Sequence, residues 1–388
     1  MIRFDASRIL VKSTNWLGDV VMEMPALRAL RRAAPDAHLA VMIRQELASL
    51  LAGARWINEV IPYRHPQGVD RLRAVPRIVA TIRAGRFDWA ILFPSRPEPA
   101  LWMFLACVPR RVGYALHRRG RLLTHTALPS PAVWTGHQAH WYLDLLRQTL
   151  GINGLAADYS LDLDPAARQP MRQWLERRRR RPQAPLAALA PAAAYGPAKE
   201  WGADRYAELI DRLHAAGWDC VIVGAPSERV RCEEVRAKSR TGAIVAAGET
   251  SVGELAALLS LCQGFVGNDS GAMHLAAALG VPTLGLFGST APERTGPMGP
   301  HAHVLYERIE CSPCLARTCR FGHTNCFRPF TAERVLERYQ LFPFLAGEIE
   351  RFLVEAGRRL RPPRLVRIDA WRLGRVARLR RRLAQLGS

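Results

Sequence analysis

The stretch that most constrains this chain is residues 263–290, QGFVGNDSGAMHLAAALGVPTLGLFGST, which predicts strand, tight turn, short helix, tight turn and strand. Phe265–Val266 close an apolar strand, and Gly267-Asn268-Asp269-Ser270-Gly271 is a turn of residues that tolerate positive φ or cap helices. Ala272–Leu279 is a small-residue helix, Gly280 ends it, and Val281–Phe287 reads as a buried parallel strand. Asp269 or Ser270 is the expected N-cap, with Gly271 just inside, which leaves backbone N–H groups free to meet an anion. An ordinary βαβ turn with a capping aspartate would have the same residues. His274, one turn into the helix, and the second turn Gly288-Ser289-Thr290 favour a ligand. Both belong at the carboxyl edge of a parallel sheet, where open α/β folds bind.

The rest of the chain repeats the pattern. Strands are expected at 8–12, 38–43, 59–63, 89–94 and 110–114, with helices at 19–34, 45–53, around 70–84, near 98–107 and at 137–150. Such alternation means a parallel sheet with helices on both faces. Residues 176–185, ERRRRRPQAP, interrupt it and read as a domain linker, with a phosphate-contacting role as the alternative. A second series then places strands at 185–191, 220–224 and 243–248 and helices at 203–215, 228–239 and 250–262. The expected α/β architecture is two Rossmann-like, doubly wound domains facing a cleft: residues 1–165, a linker at 166–184, and residues 185–330. A helical segment, 331–356, and a basic tail, 357–388, follow.

With 388 residues, 49% of them hydrophobic, the chain can bury two cores. No apolar run reaches transmembrane length, and MIRFDASRILVKS lacks the apolar core and cleavage site of a secretion signal, so a cytoplasmic protein is expected. A net charge of +21 calls for a polyanionic partner: nucleic acid, an anionic membrane or a phosphorylated substrate. No nucleic-acid module is present in the sequence, and nucleic acid is not expected. The tail sets eleven arginines against one acid, with Val376, Leu379, Leu383 and Leu386 on one helical face. That suits binding to a membrane surface, or equally a solvated or frayed helix. Cys107, Cys220, Cys232 and Cys262 are scattered, whereas Cys311, Cys314, Cys319 and Cys326 cluster as C-x2-C-x4-C-x6-C around His323. The spacing permits a structural zinc, and reduced, loosely packed thiols fit as well. Either way the cluster is expected to be structural.

Three segments in order carry a family resemblance: NWLGDVVMEMPALRALRRAAPDA, PAAAYGPAKEWGADRYAELIDRL and GNDSGAMHLAAALGVPTLGLFGST. Over roughly residues 8–350 the chain resembles the lipopolysaccharide heptosyltransferases of glycosyltransferase family 9, most nearly the heptosyltransferase II type. The resemblance implies a GT-B fold, an ADP-heptose donor, a lipopolysaccharide inner-core acceptor at the cytoplasmic face of the membrane, and no metal or other cofactor in catalysis. It also implies Asp19 as the base, at the predicted N-terminus of a helix whose dipole would favour the carboxylate. A mere helix cap is the alternative. Lys199 matches the lysine that contacts the diphosphate, in a loop expected to be mobile. Ser270, Gly271 and His274 would form the cradle around it, with Asp269 fixing the turn or reaching the sugar. Glu228 is placed to take ribose hydroxyls. Heptosyltransferase I or another member of the family, and a binding protein on the same fold, are the rival readings.

Overall fold

A computed structural model of the chain describes residues 6–66, 68 and 71–339. The helix expected at 331–356 is described only as far as residue 339, and the basic tail lies outside the described residues. The first lobe is built on β1 (Arg8–Lys12), β2 (His38–Arg44), β3 (Glu59–Tyr63), β4 (Trp89–Leu92), β5 (Arg110–Tyr114) and β6 (His125–Ala127). Its helices are α1 (Leu17–Ala33), α2 (Arg71–Ala84), α3 (Pro97–Leu105), α4 (Pro131–Thr135) and α5 (Gln138–Leu150). After α6 (Pro165–Glu176) comes the second lobe, with β7 (Leu186–Ala190), β8 (Asp219–Ile222), β9 (Ile244–Val245), β10 (Gly264–Asn268), β11 (Thr283–Phe287) and β12 (Ala302–Tyr306). Between them run α7 (Ala203–Ala215), α8 (Arg229–Lys238), α9 (Val252–Leu259), α10 (Gly271–Ala278) and α11 (Pro292–Thr295).

The sheet orders are β3-β2-β1-β4-β5-β6 and β12-β11-β10-β7-β8-β9, with parallel pairing. Counted from its own first strand, each lobe has the same doubly wound order. Each therefore has a switch point, between β1 and β4 and between β7 and β10, where the carboxyl ends open a crevice. The strands are buried on both faces, as parallel strands must be. In β1, Ile9 and Val11 point into a core that continues into the second lobe, while Leu10 points to the outer core with Ala40 and Met42.

The expected α/β architecture of two doubly wound parallel sheets is the one observed. Differences fall at the edges. β6 and β12 escape sequence reading because both are edge strands, short or only partly buried. Residues Gln45–Leu51 form a 3₁₀ segment instead of an α-helix, since Leu47, Leu50 and Leu51 bury at a spacing common to both. The strand expected at 243–248 shrinks to Ile244–Val245. Within the stretch read as linker, α6 is capped by the Asp164 carboxylate and packs on α9. From the arginine run, Arg179 and Arg181 both reach Asp219, at 3.2 and 3.0 Å, so they are engaged by the second lobe and not held out for a phosphate.

Candidate active site

Both switch points carry predicted residues. Asp19 follows β1 as the third residue of α1, Lys199 follows β7, and Asp269–Gly271 follow β10. The N-terminal ends of α1 and α10 meet across the cleft, and glycine makes the approach possible. A Cβ on Gly18 would stand 2.9 Å from His274 Cδ2, and one on Gly271 would stand 2.8 Å from Leu17 Cβ. Two helix starts therefore converge, each with unpaired N–H groups and the positive end of its dipole.

Burial lifts the pKa of Asp19 to about 6, with Lys199 acting to lower it and Asp269 to raise it. Opposite stands an anchored lysine: Lys199 Nζ lies 2.7 Å from Asp269 Oδ2 and 4.9 Å over the Tyr195 ring. The expectation of a mobile loop gives way to an ion pair with 13% and 4% of the two side chains exposed. Asp269 also accepts from Thr295 Oγ1 at 3.1 Å, and His274 Nε2 is 4.0 Å from Asp269 Oδ1. Burial, foremost, pushes the His274 pKa down to about 4, so it is uncharged at neutral pH.

Ser270 occupies the N-cap position of α10 yet makes no capping bond with its side chain. Its Oγ is shut away from solvent without a partner, as are Ser289 Oγ and Thr290 Oγ1 at the end of β11. Orphaned buried hydroxyls are uncommon in folded proteins. Three of them at the carboxyl edge of one sheet, beside a helix start, suit a polyoxyanion. Glu228 is engaged differently. Its carboxylate accepts from Ala225 N at 2.7 Å, closing its own turn. Burial raises its pKa, with Glu200 adding to the rise and the N–H groups of Ala225 and Ala194 opposing it.

Sequence reasoning missed the support beneath Asp19. One turn further along α1, the fully buried Glu23 accepts from Ser13 Oγ, from Thr14 N at 3.1 Å and from Thr14 Oγ1 at 3.0 Å. Lys12, also fully buried, donates to Ser13 O and lies 4.7 Å over the Tyr63 ring. Tyr63 Oη donates to Asn15 Oδ1 at 2.9 Å. Burial pushes Lys12 down and Glu23 up, each to about 7. The available signal was one charge ending the apolar strand RILVK and another inside VVMEMPAL. His137 was read only as a helix start, but it also crosses the lobes to bond Gly296 O at 2.9 Å.

The four clustered cysteines are free and line one pocket of about 730 Å³ with Ser289 and Ala198. Among the described residues no three His, Cys, Asp or Glu side chains are placed to hold a metal, so the structural zinc permitted by the spacing has no support. The cysteine segment braces the site. Leu315 N donates to Ser289 O at 2.8 Å, Ala198 N to Arg317 O at 3.0 Å, and Tyr195 Oη to Leu315 O at 2.8 Å. Gly196, at φ +149°, allows this, because a Cβ there would stand 2.5 Å from Arg317 O.

Two lobes with matching doubly wound parallel sheets define the GT-B fold of a glycosyltransferase. The description of Glycosyltransferase family 9 (heptosyltransferase) matches residues 75–325, and the chain belongs to that family. It is 29% identical to lipopolysaccharide heptosyltransferase 2 of Escherichia coli (strain K12) over 347 residues, 85% of this chain and 97% of that one. It is 27% identical to lipopolysaccharide heptosyltransferase 1 of Pseudomonas aeruginosa over 337 residues, 82% and 89% of the two chains. The solved structure of E. coli ADP-heptose lps heptosyltransferase II superposes with a TM-score of 0.75 at 25% identity, over 88% of this chain and 99% of that one. A glycosyl transferase family 9 structure from Veillonella parvula gives 0.76 at 24% identity, over 88% and 98%, and supports the fold.

Proposed function

We propose that the protein moves heptose from ADP-heptose to the inner core of lipopolysaccharide, with inversion at the anomeric carbon, as a heptosyltransferase of the II type. The observation that carries the mechanism is the meeting of Asp19 with the Lys199–Asp269 pair and the start of α10 across one cleft. Asp19 takes the proton of an acceptor hydroxyl while its oxygen bonds to the anomeric carbon. The bond from that carbon to the diphosphate breaks on the opposite face, and ADP leaves with the electron pair. Lys199, the N–H groups at Gly271 and the hydroxyls of Ser270, Ser289 and Thr290 meet the charge that develops on the diphosphate. His274, uncharged, holds the Asp269 side of this cradle, and Glu228 serves the adenosine half from the loop after β8. The acceptor is lipid-linked, so the reaction is placed at the cytoplasmic face of the membrane. Among the described residues no helix is long and apolar enough to cross it. The heptosyltransferase name and the ADP-heptose donor of the E. coli relative support the choice of substrate.

Asp19→Asn tests the assignment. The variant should still bind ADP-heptose, and its turnover should fall by roughly 10²- to 10⁴-fold. A rate near that of the wild type would remove Asp19 from the chemistry.

A further inference from the structure

Helix α3 has two faces of different character. On the inner face Trp102 and Met103 are buried, and the Trp102 ring meets Tyr63 edge-on at 5.6 Å. Tyr63 in turn holds Asn15, in the loop that leads to Asp19. On the outer face Leu101, Phe104 and Leu105, at helical spacing, are 41, 46 and 41% exposed. Exposed apolar clusters of this kind mark interaction sites. The rim is cationic. The Arg111 guanidinium lies 5.4 Å over the Phe104 ring, and Arg83 donates to Leu105 O at 2.7 Å. Arg111 otherwise donates to the carbonyls of Leu122 and Val108, which leave its charge in place. From Arg73 to Arg121 the sequence sets ten arginines against Asp88 and Glu98; of these Arg119 is fully buried and Arg110 stacks over Trp89 in the opposite core, so neither belongs to the rim. Asp88 is itself taken up by the backbone N–H groups of Ser7 and Arg8.

We propose that the outer face of α3 docks on an anionic lipid bilayer. Leu101, Phe104 and Leu105 enter the boundary between headgroups and acyl chains, and the surrounding arginines meet lipid phosphates. Interfacial binding draws on these two terms together. A second copy of the chain would cover the apolar side chains and leave the arginines facing each other, while a nucleic acid would leave the apolar side chains wet. The docking is independent of the tail beyond residue 357. It rests on the reading of the acceptor as lipid-linked, and it brings the bilayer within one helix of the loop that precedes Asp19.

The test uses the full chain and flotation with phosphatidylglycerol-rich vesicles against pure phosphatidylcholine vesicles. Leu101→Ser with Phe104→Ser and Leu105→Ser should weaken binding to the anionic vesicles by roughly tenfold or more. Arg83→Glu, which reverses a charge at the rim and spares the apolar side chains, should weaken it by roughly fivefold. Both variants should melt near the wild type and transfer to a lipid-free, water-soluble core acceptor within about twofold of its rate. Wild-type flotation by either variant overturns the proposal, as does equal binding of the native protein to neutral vesicles. A changed oligomeric state with unchanged flotation would assign the face to a second copy and also overturn it. If the native protein itself fails to transfer to the soluble acceptor, the catalytic reading falls while the flotation result still stands.

Discussion

Gly271→Ala probes the spacing on which the site depends. A Cβ at 271 would lie 2.8 Å from Leu17 Cβ and 3.0 Å from Leu17 Cγ. Carbon atoms rest at about 3.5–4.0 Å, so roughly 0.8 Å of clearance has to be found. Rotating the Leu17 side chain does not supply it, because the nearest atom is its Cβ, which is fixed to the backbone of α1. The two helix starts must separate instead, and Asp19, two residues beyond Leu17, moves with its helix. A misplacement near 1 Å costs on the order of 10²-fold in rate, about 2.7 kcal/mol of activation free energy. Overpacking of this kind costs about 1–3 kcal/mol of stability, a Tm drop of several degrees at most for a chain of this size. The assay is kcat for heptose transfer to a soluble core acceptor, with a thermal melt in parallel. The rate should fall by roughly 30- to 100-fold in a protein that is still folded at assay temperature. Leu17→Gly in the same background deletes the opposing Cβ and should return most of the rate, relative to Leu17→Gly alone. A Gly271→Ala enzyme with native kcat, or a double variant no faster than the single, would refute the idea that this contact sets the distance between base and donor.

Three further outcomes are expected. Because burial lifts Asp19 to about 6, kcat/KM should rise with unit slope below about pH 6, where the base is protonated, and level off above it; a limb near pH 4 would contradict the desolvated base. Lys199→Ala removes the counter-charge from Asp269 and, on the proposed mechanism, from the diphosphate. It should weaken ADP-heptose binding or slow turnover by at least about tenfold in a protein whose Tm also falls, since a buried carboxylate loses its partner; unchanged donor kinetics with a lowered Tm would reduce Lys199 to a structural ion pair. Cys326→Ser places a hydroxyl in the buried space beside Phe327 and Gly288, so Tm should fall by an amount matching about 1–3 kcal/mol with kcat nearly intact. Lost activity at unchanged stability would make the cysteine segment part of the chemistry.

The lobes were legible because buried parallel strands write themselves as continuous apolar runs, as RILVK and LAALA do. The strand–turn–helix of β10 and α10 was legible because glycine and small residues mark such a junction. What the sequence concealed depends on distance across the fold. Nothing local announces that Lys199 closes on Asp269 seventy residues away, or that Glu23 holds Ser13 and Thr14. The burial that lifts the pKa of Asp19 was likewise not legible from its helix position. The dipole of a helix start is a local property, whereas burial depends on what the rest of the chain packs around the group. The cysteine spacing suggested a metal because spacing along the chain carries no information about where the sulfur atoms point.

One apolar cluster runs without interruption from Ile9 and Val11, through α1 and α10, to Phe265 and Met273. Swinging the lobes wide apart would wet this seam at about 25 cal/mol for each Å², so even 400 Å² would cost about 10 kcal/mol, comparable with the whole stability of a domain. The cleft is therefore a furrow in one cooperative body, and residues 6–339 should lose their structure together in a single melting event.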